Sequence, residues 1–119
     1  MKKTLIALVT LLAASPALAA NWQFVSGHRG NKVFVDVDSI RSVGNERITW
    51  EKILLIPASR GMDEIVVRVR YDCLERTSTV TQQTSYLKGA MVASLGSVAT
   101  TYAQPDTVAE RTLDFACAR

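Results

Sequence analysis

The sequence predicts an α+β domain, mostly β: an antiparallel sheet with one C-terminal helix that a disulfide ties across it. Three observations carry this. Ile65, Val67, Val69, Tyr71 and Cys73 alternate with Glu64, Val66, Arg68, Arg70 and Asp72, a period of two whose apolar members a helix would scatter around its surface. Thr107-Val108-Ala109-Glu110 has the form of a capping box at a helix start. Cys73 and Cys117 are the only cysteines, and one falls in each of these two elements.

The first residues set the compartment. Lys2 and Lys3 precede the apolar run 5–12, and Pro16 precedes Ala17-Leu18-Ala19, the small-x-small pattern of a secretory cleavage site. The expectation is a signal peptide over 1–19 and a single domain over 20–119, periplasmic or secreted. The apolar run is shorter than the roughly 20 residues that cross a bilayer, and no cysteine follows the cut to carry a lipid. Neither a membrane span nor a lipid anchor is expected. Loss of Lys2 and Lys3 lowers the formal net charge from +3 to +1. The remaining charges are interspersed, which argues against nucleic acid as a partner. In an oxidising compartment two cysteines are most simply one disulfide. With one histidine, His28, and no C-x-x-C pair, the residues offer no local metal-binding spacing, and no cofactor is implied.

The elements follow in order. Trp22 and Phe24 alternate with Gln23 and Val25, a first strand with an aromatic face. Residues 26–31 hold two glycines and read as a tight connection. Val33, Val35 and Val37 mark a second strand that forms a hairpin with the first. Gly44-Asn45 is the next turn. Residues 48–56 make a third strand ended by Pro57, which has no amide to give a ladder. A loop at 59–61 leads to the fourth strand, the alternating run described above. Residues 76–86 are threonine-rich and free of Pro and Gly, a fifth strand. After Lys88-Gly89 a sixth strand starts at 90–94, broken at Gly96-Ser97 before Val98–Tyr102. In the helix, Thr107 accepts from the Glu110 amide while the Glu110 carboxylate reaches back to the Thr107 amide. Ala109, Leu113, Ala116 and Cys117 form its inner stripe. About three turns are marginal alone, so packing and the Cys73–Cys117 bond are expected to hold it.

In this order the motifs resemble the surface-adhesin protein E family. The features are Trp22, Val33-Phe34-Val35-Asp36, Asp38-Ser39-Ile40, Gly44-Asn45, Trp50, Tyr71-Asp72-Cys73, Arg76, Tyr86-Leu87-Lys88-Gly89, Pro105-Asp106-Thr107 and Cys117. The resemblance implies a curved sheet of about six antiparallel strands with a disulfide-tethered helix. It also implies an adhesin-like binding function toward a protein partner, with an extracellular matrix protein and a homodimer as its forms. The sequence departs from the pattern in lacking the lipid-anchor cysteine, and in lacking a tryptophan within 95–101.

For catalysis the candidates are few. Asp36 and Asp38 lie two apart in a strand, hence on one face about 7 Å apart, a spacing open to a small hydrolase. The alternative is that Asp38 starts a turn and accepts backbone hydrogens there. His28 reads as an exposed loop residue. Ser26 and Ser59 lack a G-x-S-x-G setting, and Gly27–Gly30 enters no helix and is no phosphate cradle. For binding, Arg68 and Arg70 project from one face of the fourth strand, flanked by Asp72 and joined by Arg76. Trp22 and Trp50 are candidate interface anchors or core residues. The sequence therefore points to a non-catalytic binding domain acting through a sheet face or loop. The other reading is a periplasmic inhibitor-like or envelope-stress protein working through loop 27–31.

Overall fold

The computed structural model describes residues 20–119; the expected signal peptide lies outside the described residues. The chain forms β1 (Trp22–His28), β2 (Asn31–Asp36), a 3-10 turn (Val37–Ser39), β3 (Arg41–Val43), β4 (Glu46–Ser59), β5 (Met62–Asp72), β6 (Thr77–Leu87), β7 (Ala90–Leu95), β8 (Thr101–Tyr102) and α1 (Val108–Cys117). Every pairing is antiparallel, in the order β1-β2-β4-β5-β6-β7. The short β3 continues along the edge of β4 that β2 uses, and β8 along the edge of β6 that β7 uses. The result is a curved six-stranded sheet, two of its tracks extended by short strands, with α1 tethered across it.

Turn chemistry explains the meander. The expected connection at 26–31 contracts to Arg29-Gly30, because β1 keeps pairing through His28↔Asn31. Both turn residues have positive φ, 52° and 88°, the backbone of a hairpin turn that matches strand twist. A Cβ on Gly30 would stand 2.0 Å from the Ile56 carbonyl oxygen, so the turn also needs the missing side chain. Arg60-Gly61 and Lys88-Gly89 repeat the same pattern.

Two strand boundaries differ from expectation. Pro57 does not end β4, which runs to Ser59. Pairing with β5 lapses between Leu54 and Ser59, so the proline lies where no ladder amide is required. In the other direction, the strand expected at 98–102 shrinks to Thr101–Tyr102. Past Gly96 the chain leaves the ladder and touches β6 through the Val98 amide and Val80 carbonyl, 2.8 Å apart.

The core sits on one face. Val67, Val69 and Tyr71 of β5 pack with Leu113 and Ala116 of α1, both fully buried, and Ile53, Ile65, Val80, Ala103 and Cys117 surround them. The helix stripe is rotated slightly from expectation: Thr112 joins Leu113 and Ala116 inside, while Ala109 is exposed. Thr107 caps the helix and accepts from the Glu110 amide at 3.2 Å. The Glu110 carboxylate, however, takes the Asp106 amide at 3.0 Å rather than that of Thr107.

Two devices bind α1 to the β5–β6 turn. Cys73 and Cys117 are bonded, with Cα atoms 5.8 Å apart and a sequence separation of 44. Arg76, four residues into the same turn region, reaches Asp114 Oδ1 at 2.6 Å and Glu110 Oε2 at 3.4 Å. Its place is thus on the helix, not on a sheet face beside Arg68 and Arg70.

Loop closure of this length stabilises by about 4 kcal/mol on the chain-entropy model. Cys73→Ser with Cys117→Ser is expected to lower the unfolding free energy by about 2–4 kcal/mol, read by denaturant titration, and to leave sheet circular dichroism in place. Leu113→Ala, which opens a void at the centre of the helix–sheet contact, should cost a similar ~2–5 kcal/mol.

Candidate functional site

The two faces of the sheet differ in chemistry. Directly paired residues of antiparallel strands share a face, as do residues two apart in one strand. Trp22 pairs with Asp36, Phe24 with Phe34, Phe34 with Lys52, Trp50 with Arg68, and Arg68 with Gln82. These side chains therefore stand together on the face away from α1. Arg70, two along from Arg68, joins them.

Contacts confirm one continuous surface. The Lys52 ammonium lies 4.7 Å from the centre of the Trp22 ring, a cation–π arrangement. Phe24 and Phe34 meet edge to face at 5.6 Å, and Phe24 keeps 52% of its surface exposed. Trp22 and Trp50 are half-buried and belong to this outer face, not to the core. Arg68 donates to Thr81 Oγ1 at 3.4 Å. Arg70 is loosely paired with Glu46 at 3.8 Å, both partners more than two-fifths exposed. Such a pair is readily exchanged for another partner.

Other residues singled out in the sequence go elsewhere. Asp72 does not flank the arginines as a free carboxylate: its Oδ1 accepts the amides of Leu74 and Glu75 at 3.0 and 2.9 Å and closes the β5–β6 turn. Asp36 and Asp38 do not form a same-face strand pair. The strand ends at Asp36, whose Oδ1 accepts the amides of Asn21 and Asp38 at 3.0 and 3.2 Å, so Asp36 rather than Asp38 is the turn acceptor. The strand spacing that would set two carboxylates about a water does not apply to this pair. Ser26 is buried in β1 and accepts from Arg111 Nε at 2.6 Å, a tie between helix and sheet edge. His28 is exposed at the β1–β2 turn.

A cluster on the inner face was not anticipated. Thr49, Glu51 and Tyr71 are all buried. The Thr49 hydroxyl donates to Glu51 Oε2 at 2.7 Å, and the Tyr71 hydroxyl donates to the same oxygen. Burial pushes the Glu51 carboxyl up to about 7, against the lowering effect of both hydroxyl donors. Burial and the neighbouring Glu51 charge hold Tyr71 well above its ordinary range. Glu51 also lines a cavity of about 270 Å³ between the sheet and the first turns of α1. Among the described residues no group of three or more His, Cys, Asp or Glu is placed to hold a metal ion.

Thr49 and Glu51 carry little signal in sequence. Residues 48–56 place Ile48, Trp50, Leu54 and Ile56 on one alternating set, yet that set takes the outer face. Phe34 and Lys52 were equally hidden, since only cross-strand register brings them beside Trp22 and Trp50.

Comparison with known proteins agrees with this layout. The family model described as surface-adhesin protein E matches residues 22–118, from the first strand through the helix. No curated protein matches the chain.

The raised Glu51 pKa sets a pH dependence. The native state binds a proton that the unfolded state has released between about pH 4.5 and 7. Stability is thus highest below the lower limit and falls as pH rises through the upper one. The loss attributable to Glu51 is on the order of 3 kcal/mol. Glu51→Gln, which keeps an acceptor without the charge, is expected to flatten this slope in urea titrations run from pH 4 to 8.

Proposed function

The chain belongs to the surface-adhesin protein E family, and from that premise we propose that it is an exported, non-catalytic binding domain engaging a protein partner through the outer face of its sheet. The observation that supports this is the continuous row Trp22–Lys52–Phe34–Trp50–Arg68–Arg70 on the face that α1 leaves uncovered. Trp and Arg are the side chains that contribute most at interface centres. Here they lie on a sheet, so little backbone freedom is lost on contact.

The charge of the row indicates the partner. Lys52 and Arg68 lie within it, and Arg70, paired with Glu46, stands at its end. An acidic segment bearing aromatic or aliphatic side chains suits this surface: the cations meet carboxylates and the rings bury apolar area. An extracellular matrix protein is the partner class that the resemblance implies, and a secreted form of the protein is the one that meets it. A homodimer is a further form of the same reading.

Two measurements test it. Affinity capture with the exported, disulfide-bonded protein should recover a saturable partner. Trp50→Ala and Arg68→Ala should each weaken that binding about tenfold or more, without change in the unfolding midpoint beyond that of a surface substitution. Gln83→Ala, on the opposite face, should bind as the unaltered protein does. Full binding by both outer-face variants would move the interface away from this surface.

A further inference from the structure

The cavity under α1 is independent of the outer face, and its wall has a definite chemical pattern. Val33, Ile53, Ile65, Val67, Val69 and Val80 supply an apolar lining. Into this lining the structure sets one buried acid, Glu51. Its Oε2 is engaged twice, by Thr49 and Tyr71. Among the described residues no protein group donates to Oε1, both hydroxyls being on Oε2, and Glu51 is one of the residues that line the cavity.

Register extends the pattern across three strands. Glu51 pairs with Val67, and Val67 pairs with Gln83. Glu51 and Gln83 thus flank Val67 in one cross-strand row, roughly 10 Å apart by two strand spacings, with that aliphatic side chain between them. A cavity of about 270 Å³ exceeds the ~150 Å³ apolar cavity known to take benzene. A body of two fused rings fits between those bounds.

We propose that this cavity is a binding site for a small apolar molecule carrying a hydroxyl group, the hydroxyl meeting Glu51 Oε1 and the hydrocarbon lying across Val67 toward Gln83. The choice of hydroxyl follows from the acid. A hydroxyl both donates and accepts, so it satisfies Oε1 whether Glu51 is ionised or protonated. A ligand carboxylate would face a second acid in an apolar setting, and an alkyl ammonium would have to shed its water there. A plain hydrocarbon fills the lining but leaves the acid unanswered. The surface where the proposed protein partner docks is on the other side of the sheet, so the two bindings need not compete.

The probes are 2-naphthol, naphthalene and 2-naphthoate, titrated into the protein and followed by the methyl resonances of Val67, Val69, Val80 and Thr112. The expected result is saturable shifts in those methyls, with 2-naphthol binding about tenfold tighter than naphthalene, the scale of one buried hydrogen bond, and 2-naphthoate weakest. Glu51→Gln should keep the preference for the hydroxyl, and Glu51→Leu should abolish it while naphthalene still binds. The proposal is overturned if none of the probes shifts these methyls, or if naphthalene and 2-naphthol bind alike to the unaltered protein. It is equally overturned if the shifts fall on Trp22 and Trp50. Val80→Phe, which fills the cavity at its β6 side, should remove binding of both neutral probes. If that variant does not fold, the comparison of Glu51→Gln with Glu51→Leu decides alone.

Discussion

The contact between α1 and the inner face of the sheet is the constraint on which the rest depends. A ten-residue helix does not persist in water unaided, and a lone sheet with one apolar face would not stay dispersed. Each covers the other's apolar side. Leu113 and Ala116 seal Val67, Val69 and Tyr71, while the Cys73–Cys117 bond and the Arg76 pairs with Asp114 and Glu110 hold the helix at that spot. Arg111 adds a link from the helix to Ser26 on the first strand. Covalent, ionic and hydrogen-bonded ties thus converge on three turns of helix.

That single contact divides the labour of the two faces. With one face committed to α1, the other is free to carry aromatic and cationic side chains without disturbing the core. The exposed pair Arg70–Glu46 and the half-open rings of Trp22 and Trp50 stabilise little as they stand, and a sheet face kept in that condition is suited to meeting another molecule. The helix also covers the inner face incompletely. Its first turns stand away from β6 and leave the cavity beside Glu51. An acid enclosed among valines and isoleucines costs stability at neutral pH, a cost found more often at binding and catalytic sites than in cores selected for packing alone.

How much was legible depended on whether the signal was local. The alternation in β5 was readable because its apolar set is unbroken and its polar set carries charges at 64, 68, 70 and 72. The helix start was readable because a cap depends on residues three apart. By contrast β4 mixes apolar and polar residues on both alternating sets, and its outer side chains also pack partly against neighbours. Alternation there could not say which face holds Glu51. The Asp36 and Asp38 reading erred because strand geometry was extended past the point where Asp36 captures the Asp38 amide and turns the chain. Arg76 was misplaced for a related reason: its backbone turns to positive φ, which swings the side chain off the strand direction and onto the helix.

The sequence by itself determined the class of fold, the strand-turn rhythm, the helix with its cap, and the two thiols available for a bond, because each rests on residues adjacent in the chain or on simple counting. Only the tertiary structure decided which side of each strand faces the helix. It alone placed Trp22, Lys52, Trp50 and Arg68 in one surface and Glu51, Val67 and Gln83 in one row. Those groupings come from cross-strand register, and a shift of one residue would send every side chain to the other face; no stretch of neighbouring residues encodes that choice.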